Sequence, residues 1–332
     1  MKRLLIIRFS ALGDVAMTVP IITSLANCNP DLSITLLTQK RMVELFSWMP
    51  ANVTVVGANL HDYHGIAGLG KLYGQLKNER FDAVADLHDV LRTKYLRTRF
   101  RMKGTKVAVI RKGRADRKAL IGHGLEHEPL MPITEKYAAV FQELGLKLEI
   151  NYAPPVVADT PIPFDVQQPA IGIAPFAAHQ GKVYPLEMMR EVVDKLADSG
   201  NQIYLFGAGH EEATVLESWA RKNVISVVGK CAGLKQELLL MSHLQLMIAM
   251  DSSNMHMAAI MGTRTISVWG ATHPKAGFVA WNQPEESIIQ IPMPCRPCSI
   301  YGSKPCSKGD YPCLRQITPQ MIVDLAKKYG AQ

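Results

Sequence analysis

Short apolar runs alternate with segments of helical periodicity through the first half of the chain. The runs typical of buried strands span residues 4–7, 33–38, 52–58, 81–89 and 106–110, and helices are predicted at 16–28, near 40–48 and at 67–78. A repeat of strand and helix in this order is typical of a parallel sheet with helices on both faces. The first half is therefore predicted to be a doubly wound α/β domain.

The same pattern begins again after a proline-rich segment. Residues 151–169 contain five prolines and no lysine or arginine, a composition typical of a linker between domains. Beyond this segment, strands are predicted at 170–175, 202–208, 224–229, 244–250 and 265–270, and helices from Pro185, from Glu211, at 234–243 and from Met255. A length of 332 residues suits two such domains in tandem. Because open α/β sheets bind ligands at the carboxyl ends of their strands, a cleft between the domains is the expected site.

The composition narrows the class of protein. Hydrophobic residues make up 48% of the chain and charged residues 20%, so a sizeable core is expected. No apolar stretch approaches the roughly 18 residues of a membrane-spanning helix. The apolar run before Arg8 is too short for a secretory signal, which leads us to expect a cytoplasmic protein.

The chain is basic, and its charge is concentrated. The net charge is +8, and residues 92–118 hold twelve lysines or arginines against the single acid Asp116. Such a segment is either a solvated basic face or the site of an anionic partner, which would be nucleic acid, a membrane or a phosphorylated substrate. No nucleic acid is expected, because the chain lacks the signature of a nucleic-acid-binding module.

Polar side chains follow the first predicted strand. Arg8, Ser10 and Asp14 lie in "RFSALGDVAMTVP" (residues 8–20), directly after the apolar run. A turn at this point needs Gly13, but it needs neither a cation nor a carboxylate. Asp14 is therefore a candidate for chemistry, or the N-cap of the next helix, and the two roles are compatible.

Three further polar stretches follow strands of the second half: "GIAPFAAHQGKVYP", "FGAGHEE" and "MDSSNMHMAAIMG". The candidate binding residues in them are Lys182, Glu211, Asp251, Ser252, Ser253 and His256. The last stretch places serines at the start of a helix, where free backbone N–H groups form a site suited to phosphate.

Each candidate also has an ordinary structural explanation. Serines at a helix start are commonly caps, a single histidine in a helix is commonly structural, and Lys182 alone is consistent with one more exposed lysine. The "GAG" at 207–209 lacks the full dinucleotide fingerprint, which disfavours an NAD-dependent oxidoreductase. What favours a site is the common location of the candidates after strands.

These stretches, in their order and spacing over nearly the whole chain, resemble the ADP-heptose:lipopolysaccharide heptosyltransferases, family 9 of the glycosyltransferases. The motifs that carry the resemblance are "RFSALGDVAMTVP", "GKVYP", "GAGHEE" and "DSSNMHMAAIMG" with the following "ISVWGATHP". The resemblance implies the GT-B architecture, two Rossmann-like doubly wound α/β domains facing across a cleft. The expected domains are residues 1–155 for the acceptor, 156–316 for the nucleotide sugar, and 317–332, a final helix packing back on the first domain.

The resemblance also implies roles for individual residues. Asp14 would be the general base that takes the proton of the acceptor hydroxyl, and Lys182 would be the cation at the departing diphosphate. The donor, ADP-heptose, would be bound by Ala177, Ala178, Glu211, Asp251, Ser252, Ser253 and His256. The expected reaction is an inverting transfer of heptose to an anionic lipopolysaccharide inner core or a related glycan, with no cofactor required for catalysis.

The basic segment suits that acceptor, because an inner core carries carboxylates and phosphates. The predicted acceptor site consists of Arg8, Ser10, His88, Arg92, Arg111 and Arg117. The same segment is expected to make peripheral contact with anionic lipid at the cytoplasmic face of the inner membrane.

Four of the six cysteines crowd into "CRPCSIYGSKPCSKGDYPC". The spacing of Cys295, Cys298, Cys306 and Cys313 suits a structural zinc or iron site, and a reducing cytoplasm disfavours disulfides. Free thiols or a labile disulfide stay open as alternatives. Any metal would be structural, because the resemblance implies transfer chemistry without one.

Two other functions stay open at this point. Ala177, Ala178, Ser253 and His88 depart from the pattern of the family, which keeps open the same fold with another nucleotide sugar or acceptor. The second alternative is a non-catalytic module that binds an anionic ligand, and its only support is the basic segment.

Overall fold

The computed structural model describes residues 1–157 and 161–332, which form two compact units. The first unit comprises Met1–Lys112 and Ile133–Ala153, and the second comprises Gly113–Pro132 and Pro154–Gln332. Residues 158–160 of the predicted linker lie outside the described residues.

A five-stranded parallel sheet forms the centre of the first unit, in the order β3-β2-β1-β4-β5. The elements in chain order are β1 (Arg3–Ile7), α1 (Leu12–Ala16), α2 (Val19–Cys28), β2 (Ser33–Gln39), β3 (Val53–Ala58), α3 (Gly65–Leu76), β4 (Ala83–Asp86), α4 (Leu91–Arg101), β5 (Lys106–Val109), α5 (Arg114–His123) and α6 (Ile133–Glu143), of which α5 belongs to the second unit. In the register, Leu4 of β1 lies opposite Ile34 of β2 and Ala83 of β4. Successive strands are added on one side of β1 up to β3 and on its other side from β4 onward. The carboxyl ends of β1 and β4 therefore form the topological switch point.

The predicted strands of this half are confirmed. Leu4 to Ile7 are fully buried, since a central parallel strand is covered on both faces, and this burial explains their unbroken apolar run. The run 81–89 is a strand only over Ala83–Asp86. It ends there because the Asp86 carboxylate accepts hydrogen bonds from the backbone N–H groups of His88 and Asp89, at 3.0 and 2.9 Å, and turns the chain.

The helices of this half differ more from the prediction. The helix predicted over 16–28 is present as α2, which begins three residues later, and the short helix α1 before it was not predicted. A 3₁₀ helix, Lys40–Phe46, replaces the helix expected near 40–48. α1 begins before Gly13 because Asp14, its third residue, accepts a hydrogen bond from the Ala11 backbone N–H at 3.3 Å. The helices α4, α5 and α6 have no counterpart among the predicted elements.

The second unit contains a six-stranded parallel sheet in the order β11-β10-β9-β6-β7-β8. Its further elements are β6 (Ala170–Ala174), α7 (Leu186–Asp198), β7 (Gln202–Leu205), α8 (Gly209–Trp219), β8 (Val224–Ser226), α9 (Leu234–His243), β9 (Leu246–Met250), α10 (Ser253–Ile260), β10 (Arg264–Trp269), β11 (Ile288–Gln290), α11 (Pro312–Arg315) and α12 (Pro319–Lys328). The five predicted strands are confirmed, and the short edge strand β11 is additional. The switch point of this sheet lies between β6 and β9. Within the described ranges, none of the helices combines the length and the apolarity of a membrane span.

The segment Gly113–Pro132 lies in the second unit, although the predicted first domain runs through residues 1–155. The difference has a packing reason. Leu120 of α5 is fully buried in a cluster with Ala276 and Ile300, both of the second unit. Apolar burial of this kind, and not the sequence distance from the linker, determines the unit to which the segment belongs.

The final helix α12 packs within the second unit, and its predicted packing on the first domain stays a prediction. Ile322, Val323 and Ala326 share one face of α12 and are buried in the apolar cluster that contains Val192 and Leu196 of α7. The apolar face of α12 is therefore covered by α7.

Candidate functional site

An ion pair occupies the carboxyl end of β1 in the first unit. The buried Arg8 places Nη2 at 2.6 Å from Asp14 Oδ2, and its Nη1 donates to the carbonyl of Leu87 at 2.6 Å. Its guanidinium lies 5.7 Å from the ring centre of Tyr137, whose hydroxyl donates to the Asp14 carbonyl at 3.1 Å. The Asp14 side chain is 22% exposed. The carboxylate is therefore held in one orientation and remains accessible to a ligand.

His88 and Ser10 lie at the same point, where β1 and β4 end side by side. His88 Nε2 is 3.2 Å from Ser10 Oγ, and His88 Nδ1 is buried with no hydrogen-bond partner in the described part of the chain. Burial, and after it the charges of Arg8 and Lys112, lower the pKa of His88 to about 3. The imidazole is therefore neutral at pH 7. We call Arg8, Ser10, Asp14 and His88 the first-unit site.

A buried carboxylate that the sequence patterns did not single out supports this site. Asp86, the last residue of β4, is fully buried and accepts from Arg97 Nη1 at 2.7 Å in addition to the two backbone bonds that turn the chain. The same Arg97 Nη1 lies 2.9 Å from Asp89 Oδ1. The polar end of the run "FDAVADLHD" was the available signal for Asp86 and Asp89. Arg97 is thus engaged within the protein, while His88 is fixed by the turn.

The predicted acceptor residues divide between the two units. Arg111 follows β5 and is exposed, and Arg92 lies in the first turn of α4, close enough to lower the pKa of His88. Both are on the edge of the sheet that carries the first-unit site. Arg117 instead belongs to the second unit, where its Nη1 donates to the hydroxyl of Tyr301 at 2.6 Å. The structure therefore brings five of the six predicted acceptor residues to one edge of the first sheet, and Arg117 belongs to the second unit.

A second charged pair lies at the switch point of the second sheet. Lys182 Nζ is 3.0 Å from Asp251 Oδ2, and Thr272 Oγ1 donates to the same oxygen at 2.8 Å. These residues follow β6, β9 and β10, so the ends of three adjacent strands meet here. Thr272 was not predicted, although its place directly after a strand was a signal of the same kind as that of Asp251. We call Lys182, Asp251 and Thr272, together with Ser252 and His256, the second-unit site.

The start of α10 holds polar atoms without partners. Ser252 is the N-cap residue, but its hydroxyl makes no capping bond; Ser252 Oγ and His256 Nδ1 are both buried and lack hydrogen-bond partners within residues 1–157 and 161–332. Ser253 is the first residue of the helix. Burial, followed by the charge of Lys182, lowers the pKa of His256 to about 3, so its ring is neutral at pH 7. Buried polar atoms without partners are costly and are commonly satisfied by a bound molecule.

The lowered pKa of His256 predicts that acid destabilises the protein. The unfolded chain binds a proton on this histidine near pH 6.5 and the folded protein does not, so stability is lost as the pH falls below 6.5. We expect His256 to account for about 2 kcal/mol of the unfolding free energy lost between pH 7 and pH 5. Urea unfolding of wild type and His256→Gln at the two pH values measures this contribution. The exposed His210→Gln is the control, and a variant with the wild-type pH dependence would contradict the assignment.

A cavity of about 660 Å³ opens in the second unit, within the size range of sites for nucleotide-sized ligands. Phe176 and Tyr311 contribute aromatic surface, and Arg315 and Glu211 contribute charge. Ala177 also lines the cavity, whereas Ala178 is not among its lining residues. Of the predicted donor residues, the cavity thus brings together Ala177 and Glu211.

The "GAG" that precedes α8 has a structural basis. Gly209 has a φ of +77°, a left-handed conformation that favours glycine. A Cβ on Gly207 would lie 2.9 Å from Leu216 Cδ1, so the loop could not approach α8 as closely with a larger residue. The first turn of this helix, with Glu211, is held by Glu212 Oε2, which accepts from the Ala208 backbone N–H at 2.7 Å. The glycines therefore position Glu211 at the cavity.

The four clustered cysteines, as placed, do not form a metal site. Cys295, Cys298, Cys306 and Cys313 are all free thiols, and among the side chains that the structure describes, which leave out those of residues 123, 125 and 158–160, no three of His, Cys, Asp or Glu are arranged to hold a metal ion. Burial raises the pKa of Cys313 to about 11, with contributions from the neighbouring cysteines, so its thiol stays protonated at pH 7. The structural zinc or iron therefore stays a prediction, which metal analysis of the purified protein decides.

Comparison with known proteins adds a family and a fold. The sequence model of glycosyltransferase family 9 (heptosyltransferase) matches residues 69–307. Lipopolysaccharide heptosyltransferase 1 of Escherichia coli K12 is 24% identical over 314 residues, which cover 87% of this chain and 96% of that protein.

Two solved structures match over nearly their whole length. The E. coli heptosyltransferase WaaC, solved with ADP, superposes with a TM-score of 0.71 at 19% identity and covers 99% of this chain and 100% of its own. The E. coli ADP-heptose lps heptosyltransferase II gives a TM-score of 0.72 at 20% identity and covers 98% of both chains. The predicted GT-B fold is thereby confirmed.

Proposed function

This chain is an enzyme that belongs to glycosyltransferase family 9, the heptosyltransferases, and on that premise we propose that it transfers heptose from ADP-heptose to an anionic lipopolysaccharide inner-core acceptor. The observation that carries the proposal is the Lys182–Asp251 pair, 3.0 Å long, at the switch point of a unit that also holds a nucleotide-sized cavity. A cation at that position suits a departing diphosphate.

In the proposed reaction Asp14 acts as the general base. Its carboxylate takes the proton of the acceptor hydroxyl while that oxygen forms a bond to the anomeric carbon of heptose and the bond from that carbon to ADP breaks. The proton ends on Asp14, the electron pair leaves with ADP, and a single displacement inverts the anomeric centre. The contact of Arg8 at 2.6 Å supports this role, because it holds the carboxylate in place before the substrate arrives.

The second-unit site would hold the diphosphate. Lys182 would follow the negative charge that develops on the leaving oxygen, and Ser252 and His256 offer polar atoms that lack partners in the described part of the protein. The free N–H groups at the start of α10 add an anion site beside them. Glu211, which lines the cavity, would contact the ribose or base.

The acceptor proposal rests on charge. Arg92 and the exposed Arg111 lie on the edge that carries Asp14, where they would bind carboxylates or phosphates of an inner core. A lipid-anchored acceptor would bring the enzyme to the cytoplasmic face of the inner membrane, and sedimentation with anionic vesicles tests that contact.

The proposed donor is tested by calorimetry with ADP, ADP-heptose, UDP, GDP and NADH. We expect ADP and ADP-heptose to bind in preference to the others, and Glu211→Ala to weaken ADP binding by about 10-fold through loss of a charged hydrogen bond. The exposed Glu286→Ala is the matched control. A preference for UDP or GDP would keep the reaction and overturn the donor. Absence of nucleotide binding would favour the non-catalytic module.

A further inference from the structure

Arg296 is a fully buried cation whose partners are backbone carbonyls. Its guanidinium donates to the carbonyls of Thr272 at 2.8 Å, Ile291 at 2.6 Å and Trp269 at 3.4 Å, and its Nε donates to the carbonyl of Gly270. No carboxylate of residues 1–157 or 161–332 lies within ion-pair distance of it. Burying a charge in this way is costly, so its five donors must accomplish something that an apolar side chain does not.

The carbonyls bound by Arg296 belong mainly to the segment that ends β10 and turns toward the second-unit site. Trp269 is the last residue of the strand, and Gly270 and Thr272 follow it. Between them, the Ala271 backbone N–H donates to the carbonyl of Gly181 at 2.7 Å. The guanidinium therefore fixes the path of this segment, and the segment is itself bonded to the residue that precedes Lys182.

A continuous set of contacts leads from Arg296 to Lys182. The carbonyl of Thr272 accepts from Arg296, the hydroxyl of Thr272 donates to Asp251 Oδ2, and that oxygen lies 3.0 Å from Lys182 Nζ. The carbon stem of Lys182 is confined as well, because a Cβ on Gly302 would lie 2.6 Å from Lys182 Cγ. The ammonium of Lys182 is thus connected to Arg296 through Thr272 and Asp251, while its stem lies against Gly302.

We propose that Arg296 is a positioning residue for the transfer reaction, which acts by fixing Thr272 and Asp251 and through them the ammonium of Lys182. The proposal rests on the role of Lys182 in the proposed function. It assigns no contact between Arg296 and substrate. It also gives the "CRPC" stretch a role that does not depend on a metal, because Arg296, which follows the first of its two cysteines, ties the loop to the second-unit site.

Three variants test the proposal at different points of this set of contacts. Thr272→Val removes the hydroxyl with little change of shape, and Arg296→Gln removes the charge and most of the donors; Arg296→Lys keeps the charge but not the planar fork. We expect Thr272→Val and Arg296→Gln each to lower kcat by about 10-fold to 100-fold, because a small displacement of a catalytic group has effects of this size. The KM for ADP-heptose should change by less than about threefold, and Arg296→Lys should recover part of the loss.

The decisive comparison uses Lys182→Met as a background, with single-turnover rates. If Arg296 and Thr272 act through Lys182, the same substitutions lower the remaining rate by less than about twofold. An equal fold-loss in both backgrounds would overturn the proposal. Should Arg296→Gln fail to fold, Arg296→Lys, which loses the planar fork, is compared in the two backgrounds in its place, beside Thr272→Val. A Lys182→Met enzyme with wild-type kcat would instead refute the proposed role of Lys182, so the two failures are distinguishable.

Discussion

Replacing Asp14 by asparagine is expected to lower kcat for heptose transfer by about 1000-fold, within the range measured for loss of a general base. Asparagine keeps an oxygen that can accept from the Ala11 backbone N–H, so α1 retains its start. It cannot take the proton of the acceptor hydroxyl. Steady-state kinetics with saturating donor and acceptor measure the effect.

The control for this variant must separate chemistry from stability. Because Arg8 loses its charged partner, the unfolding free energy should fall by about 1–3 kcal/mol, and ADP binding should be unchanged. The exposed Asp31→Asn, in the same unit, should leave both properties as in wild type. A folded Asp14→Asn enzyme with kcat within about threefold of wild type would exclude Asp14 as the base.

Replacing Lys182 by methionine is expected to lower kcat by about 100-fold to 1000-fold, since the developing charge on the diphosphate loses its cation. Methionine keeps an unbranched stem in the space beside Gly302, and Asp251 still accepts from Thr272 at 2.8 Å. The loss should therefore appear in the rate of transfer more than in stability. Single-turnover kinetics with the donor prebound isolate that step.

The exposed Lys222→Met is the matched control for charge in the second unit. It should retain wild-type rates. An equal loss in both lysine variants would mean that net charge, and not the ammonium at Asp251, is responsible.

The chain's pattern predicts the strands well and the contacts around the sites less well. Fully buried parallel strands require apolar runs, and the polar residues that follow those runs must emerge at one edge of the sheet; Asp14 and Asp251 were located in this way. Thr272 and Arg296 act through backbone carbonyls and a carboxylate brought together by the fold. Such bonds leave no periodic trace in a sequence.

The helix α4 shows a different limit. Thr93, Leu96 and Phe100 follow helical spacing and are buried, but the basic residues between them conceal a narrow apolar stripe. Arg296 lies between two cysteines whose spacing suggests a metal site, and nothing in that pattern indicates that the cation is buried. α12 has a clear apolar face, yet the partner of that face is decided by tertiary packing alone.

The most direct test incubates the purified enzyme with ADP-heptose and lipopolysaccharide that lacks inner-core heptose, and follows the acceptor by mass spectrometry and the release of ADP. Our expectation is that the acceptor gains one heptose for each ADP released, and that Asp14→Asn lowers the rates of both signals together by about 1000-fold. An enzyme that binds ADP and remains folded but leaves the acceptor unchanged, or that transfers sugar only from another nucleotide, would contradict it.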